Sequence, residues 1–189
     1  MHTYRTFSLS LLALAISVPV SFGQVNEDSK LLASDGAASD YFGYAVGVAG
    51  NRVIVGARGT DANGTESGSA YIFDVTTGLE LSKLTATGGE PFDIFGGAVG
   101  LNGDLVVIGA PGQNRRPFLA DTGAVYVFDL NTEQQLFKIY PQDSNSGQRF
   151  GTSISVSGDL AAIGAYGSND QGSQSGTAYV FNARTGTEL

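Results

Sequence analysis

The chain has 189 residues, ten basic and eighteen acidic, and a formal net charge of −8, a balance that disfavours nucleic acid and anionic lipid and tolerates cations or neutral and basic partners. It contains no cysteine and no tryptophan, and its single histidine is His2. Disulfides, thiol nucleophiles and Cys-ligated metals are therefore excluded, and imidazole chemistry rests on one residue at the extreme N-terminus.

Residues 1–23 read as a secretory leader. Arg5 precedes an apolar run from Phe7 to Val20, and the small residues Ser21 and Gly23 set cleavage between Gly23 and Gln24. The run is shorter than the roughly 20 apolar residues that span a bilayer. With no second apolar segment after it, the sequence predicts a secreted or cell-surface protein without a membrane span once the leader is removed. His2 leaves with the leader. An exported chain without disulfides takes its stability from packing, which favours a large and regular β core.

From residue 42 onward one unit is written three times. Phe42-Gly43, Phe95-Gly96 and Phe150-Gly151 lead in turn to Gly56-Ala57, Gly109-Ala110 and Gly164-Ala165. Each copy closes on an aromatic strand, with Tyr71 and Phe73, Tyr126 and Phe128, or Tyr179 and Phe181. The period of about 54 residues marks a repeat architecture. Within the first unit, 44–49 is a small-residue strand, Gly50-Asn51 a tight turn, and 52–57 a short apolar run suited to a strand buried on both faces. A Gly/Asp/Asn-rich loop over 58–67 follows, then a β-branched and aromatic strand over 69–75 and a more polar strand over 79–84. Four antiparallel strands that are apolar on both faces describe a β-propeller blade, which must stack on neighbours to stay dry.

The predicted organisation is a leader at 1–23, a linker with a lone outer-strand segment at 24–41, and repeats at 42–84, 85–139 and 140–189, the last with an incomplete outer strand. Lys30 stands as far before its Phe-Gly pair as Lys83 and Lys138 do before theirs, so residues 29–32 copy the end of an outer strand. Residues 185–189 copy 77–81 and stop inside that strand. Propellers have typically 4 to 8 blades. Three copies therefore imply a partial propeller whose further blades come from the same gene product, or a head-to-tail oligomer that exchanges outer strands.

These copies resemble the FG-GAP repeat of integrin α-subunit propellers, and more closely its short bacterial form. The resemblance implies a propeller in an exported protein, with binding or adhesive roles and sometimes calcium. In the integrin form the first hairpin carries a D-x-D-x-D-G-type calcium loop. Here the hairpins at Gly50-Asn51, Gly103-Asp104 and Gly158-Asp159 are too short to wrap an ion that needs 6–8 oxygens, and none of the family's metal residues carries over.

Three sets of residues remain as site candidates. Asp61, Asn63 and Glu66, with Asn169 and Asp170 in the third copy, have spacing weakly like a calcium loop in the long connection; the same residue types also build solvated turns. Asp40 and Asp93 stand two residues before Phe-Gly, where a carboxylate could do acid–base work on a sugar or act as a structural acceptor. Arg115, Arg116 and Phe118 form a basic and apolar loop fit for a partner contact. The functional expectation is an exported, non-catalytic module that binds a protein or polysaccharide. A polysaccharide-active enzyme or its accessory domain, and a structural segment of a larger surface protein, are the alternatives.

Overall fold

The computed structural model describes residues 30–115 and 119–189; the leader, its Gly23–Gln24 junction, Arg116 and Phe118 lie outside them. Every regular element in the described residues is a β-strand. The first sheet holds β1 (Phe42–Ala49), β2 (Arg52–Ala57), β3 (Ser69–Asp74) and β4 (Glu80–Leu84). The second holds β5 (Ala98–Asn102), β6 (Leu105–Ala110), β7 (Ala124–Asp129) and β8 (Gln135–Ile139). The third holds β9 (Ser153–Ser157), β10 (Leu160–Ala165), β11 (Thr177–Asn182) and the two-residue β12 (Thr187–Glu188). All three are antiparallel meanders in simple order. Gly50, Gly103 and Gly158 turn the first hairpins with φ of 55°, 58° and 57°, the left-handed conformation that such turns require. The chain is thus three consecutive propeller blades, unclosed.

The blades stack through their faces. β1 touches β5 and β5 touches β9, which makes these the inner strands. On its trailing face blade 1 presents Ile54, Ala70 and Ile72, which pack in one core with Val99, Leu101, Ile108, Tyr126 and Phe128 of blade 2. Blade 2 repeats the arrangement with Leu105, Val107, Val125 and Val127 against Ile163, Tyr179 and Phe181 of blade 3. The leading face of blade 1 (Val55, Tyr71 and Phe73) is covered in part by Leu31, Ala33 and Phe42. Residues 30–33 belong to none of the three sheets, yet Leu31 stands in the repeat where Leu84 and Ile139 stand.

Both ends of the stack are open. Val46 and Val48 on β1 are 67% and 69% exposed, whereas their counterparts Val99 and Leu101 are each 8% exposed. At the other end Leu160 and Val180 are exposed, although the matching Leu105 and Val127 are fully buried.

Two features explain the constant residues. Each Phe of a Phe-Gly pair meets the aromatic pair of its own blade edge-on: Phe42 with Tyr71 and Phe73 at 5.5 and 5.8 Å, Phe95 with Tyr126 and Phe128 at 5.3 and 6.0 Å, Phe150 with Tyr179 and Phe181 at 5.5 and 5.6 Å. Such T-shaped pairs add about 0.5–1.5 kcal/mol beyond their burial. The glycines serve the seam between blades. A Cβ on Gly56 would strike the Gly96 carbonyl, and one on Gly109 the Gly151 carbonyl. Backbone bonds close the same seam, with Phe95 N donating to Ser67 O and Phe150 N to Thr122 O, both at 2.9 Å.

The repeats differ in how they satisfy the buried tyrosine. Tyr71 Oη donates to Asp35 Oδ1 at 2.8 Å and Tyr179 Oη to Asp143 Oδ1 at 2.9 Å. Burial above all pushes the Tyr71 phenol up to about 12. The second copy has Gly88 at the capping position, and Tyr126 Oη is buried with no hydrogen-bond partner among the described residues.

Two stability contrasts follow from this. Gly109→Ala should cost about 2 kcal/mol or more, because a neighbouring backbone has to move. Gly164→Ala should cost under about 1 kcal/mol, because the added Cβ meets only the Ser153 hydroxyl of its own blade, which can rotate. Tyr71→Phe and Tyr179→Phe should each lose about 1.5 kcal/mol or more, and Tyr126→Phe close to nothing, since only the first two remove a hydrogen bond to a charged acceptor. Denaturant unfolding of the five variants measures both contrasts, and equal losses across either set would refute it.

Candidate functional site

Three positions of the repeat converge on the inner rim. The residue before each Phe-Gly pair is Tyr41, Ile94 or Arg149, and the residue after it is Tyr44, Gly97 or Thr152. The residue after each Gly-Ala pair is Arg58, Pro111 or Tyr166. All of them except Tyr41 line one cavity of about 390 Å³, and Tyr41 joins it through Arg58, whose guanidinium lies 5.0 Å from the Tyr41 ring centre. The cavity is thus made from the variable positions that flank the constant ones. Its volume lies within the roughly 300–1,000 Å³ of small-ligand sites.

The backbone delivers these side chains by a bend repeated in each blade. Tyr41, Ile94 and Arg149 have φ of 54°, 61° and 56°, a conformation uncommon for any non-glycine residue and costly for a β-branched one. Asp40, Asp93 and Gln148 stand immediately before them and hold the bend. Asp40 Oδ2 accepts from Ala37 N at 2.7 Å, Asp93 Oδ2 from Glu90 N at 2.8 Å, and Gln148 Oε1 from Asn145 N at 3.1 Å. The carbonyls of the same three residues accept from Gly59, Gly112 and Gly167 at 3.0, 3.1 and 3.2 Å. Asp40 and Asp93 therefore occupy equivalent turn positions on different blades, each accepting from its own blade's backbone.

Two arginines give the cavity its charge. Arg149 is paired with Asp121 at 2.8 Å. Arg58 stacks over Tyr41 and, at 4.4 Å, over Tyr44. It makes no hydrogen bond or ion pair to a described residue, and its Nε is buried without a partner. Tyr41, Tyr44 and Tyr166 are each more than half exposed, and Tyr44 and Tyr166 line the same cavity as Arg58.

The long loops hold the other sequence candidates, and the structure gives them a common internal role. Asp61 Oδ1 accepts from Glu66 N at 2.8 Å, and Asn169 Oδ1 accepts from Gln174 N at 2.7 Å. Asn114 in the second copy does the same for Asp121 N at 2.8 Å. In each pair the donor residue has a φ near 50° (Glu66 51°, Asp121 50°, Gln174 53°), so the carboxyl or amide oxygen fastens a left-handed corner. Asn63 Nδ2 donates to Ala86 O at 3.1 Å. Asp170 accepts from Ser168 Oγ and Thr177 Oγ1, and those two bonds, Thr177 first, hold its carboxyl below the usual range. Asp61 and Glu66 also line an open hollow of about 490 Å³ with Asp35, Asp40 and Lys83. Among the described residues no three Asp, Glu, His or Cys side chains are grouped to hold a metal ion. Arg115 lies apart from the inner-rim cavity: its Nη1 donates to Ser144 Oγ at 2.9 Å and its guanidinium lies 5.4 Å from the Tyr140 ring.

The cavity residues were not among the sequence candidates. They could have been found by laying the three copies in register and reading the columns beside Phe-Gly and Gly-Ala, where residue type changes from copy to copy. With loop carboxylates and amides already bonded to their own backbone, EDTA should leave the thermal midpoint of the protein unchanged. A fall in Tm on chelation, restored by excess calcium, would show a bound ion that these bonds do not account for.

The comparisons with known proteins bear on this geometry. No curated protein matches the chain. Among solved structures, the computationally designed Ika4 protein superposes with a TM-score of 0.54 at 21% identity, over 86% of this chain and 78% of that one. The computationally designed Ika8 protein superposes with a TM-score of 0.50 at 21% identity, over 77% of this chain and 35% of that one. At such identity these likenesses speak to the fold alone. The FG-GAP repeat profile matches residues 25–73, 79–128 and 134–181, once for each blade. With three consecutive matches covering most of its length, the chain belongs to the FG-GAP repeat family.

Proposed function

We propose that this protein is an exported, non-catalytic β-propeller module that binds a protein or polysaccharide outside the cell. The observation that carries the reading is the inner-rim cavity, where the scaffold positions stay constant while the positions lining the cavity change from blade to blade. Rigid repeats present variable positions in this way when they serve recognition. The leader pattern at 1–23 supports export, and no helix among the described residues is long and apolar enough to cross a membrane. The backbone bonds made by Asp40 and Asp93 favour binding over sugar hydrolysis, which uses two carboxyl groups about 5–10 Å apart across one bond.

The same reading includes further blades. Val46 and Val48 at one end, and Leu160 and Val180 at the other, are the two halves of the interface already formed twice inside the chain. A blade of the same repeat type, from the same gene product or from a second copy, would cover them.

Glycan and protein arrays probed with the intact exported product test the module reading. Retention of at least one ligand class is expected; no retention on either array, or hydrolysis of a glycan that is lost with Asp40→Asn, would overturn it. Native mass spectrometry of the same sample gives the number of blades per particle, with a total of at least four expected.

A further inference from the structure

The geometry points to the inner-rim cavity as a binding site for a carboxylate-bearing sugar, a hexuronate unit of a polysaccharide, with Arg58 as the anchor for the carboxylate. This deepens the binding-module reading and rests on it.

Arg58 is unusual in its charge environment. The protein carries eight more acidic than basic side chains (18 against 10), and the other cavity arginine, Arg149, holds Asp121. Arg58 contacts the rings of Tyr41 and Tyr44 and makes no hydrogen bond or ion pair to a described residue. These ring contacts engage none of the guanidinium's N–H donors in a hydrogen bond. The edge that carries those donors matches the two oxygens of a carboxylate in a bidentate pair. A buried and unpartnered Nε costs free energy until an acceptor arrives, so the empty position is one that an anion relieves.

The charge count selects among anions. A single unpaired guanidinium matches a monoanion. A phosphate, with −1.5 to −2 charges, would need a second free cation, and Arg149 is already engaged. The aromatic surroundings select the carrier. Tyr41, Tyr44 and Tyr166 are each more than half exposed; two of these rings hold Arg58 and the third lines the same cavity, flat surfaces that suit the C–H face of a pyranose rather than an extended peptide. The cavity of about 390 Å³ admits one or two sugar rings. Cation–π contact holds Arg58 in place before the ligand arrives, which limits the ordering cost of binding.

The test is a calorimetric titration of the intact exported protein at low salt with four probes: trigalacturonate, the neutral galactose trimer, galactose 1-phosphate and hexaglutamate. Trigalacturonate should bind at least tenfold more tightly than each of the others. Arg58→Gln should reduce that affinity at least tenfold while the protein still unfolds in one cooperative step with only a small fall in Tm, because it removes ring contacts but no hydrogen bond or ion pair. Arg58→Lys should fall between, since it keeps the charge and loses the fork. The proposal is overturned if trigalacturonate does not bind, if Arg58→Gln leaves its affinity unchanged, or if the phosphate or the peptide binds as well. Repeating the arrays with Arg58→Gln separates the two readings. Unchanged retention of a ligand removes the cavity assignment and leaves the module reading standing, while blank arrays for the native protein remove both.

Discussion

Backbone meeting backbone between blades is the constraint on which the rest depends. Gly56 and Gly109 leave room for the carbonyls of Gly96 and Gly151, and a methyl group at either position would drive the inner strands apart. Because the seam is closed by main-chain groups, the Phe side chains are free to turn into their own blades and clamp the Tyr and Phe of the third strand. Close approach of the inner strands also seals the trailing face of one blade against the leading face of the next, where Ile54, Ile72, Val107 and Val127 lose almost all contact with water. The constant residues of the repeat are thus explained by two contacts, one between blades and one within each blade.

The scaffold was legible in the sequence for that reason. A contact that recurs in every blade leaves the same residue in every copy, and Phe-Gly, Gly-Ala and the aromatic strand could be read by laying the copies side by side. The cavity was harder to see because its residues differ between copies, and variation in a column looks like drift unless the columns are known to meet in space. Arg58 is the clearest case. What distinguishes it is the lack of an acidic partner, and sequence cannot display the absence of a neighbour. The long loops show a different limit. Asp61 and Asn169 have spacing weakly like a calcium loop, and the fold adds that their side-chain oxygens fasten left-handed corners at Glu66 and Gln174, a use that spacing alone does not display.

The open ends follow from the same geometry. Each blade has a leading and a trailing face of different chemistry, aromatic and branched on one and smaller and aliphatic on the other, so the stack has a direction. Val46 and Val48 lie on the leading face of the first blade, and Leu160 and Val180 on the trailing face of the last. Exposed apolar surface at both ends of a three-blade array is a liability for solubility.

A seam written in glycine and main-chain hydrogen bonds is blind to the side chains around it, and this has a consequence for how such proteins change. The joint therefore demands little of the residues beside it, and a blade that keeps its glycines and its apolar faces meets the requirements of either neighbour. Residues such as Arg58, Pro111 and Tyr166 sit one position beyond the joint, where selection can alter them singly. Shape is therefore fixed at the joints, and surface chemistry is set beside them.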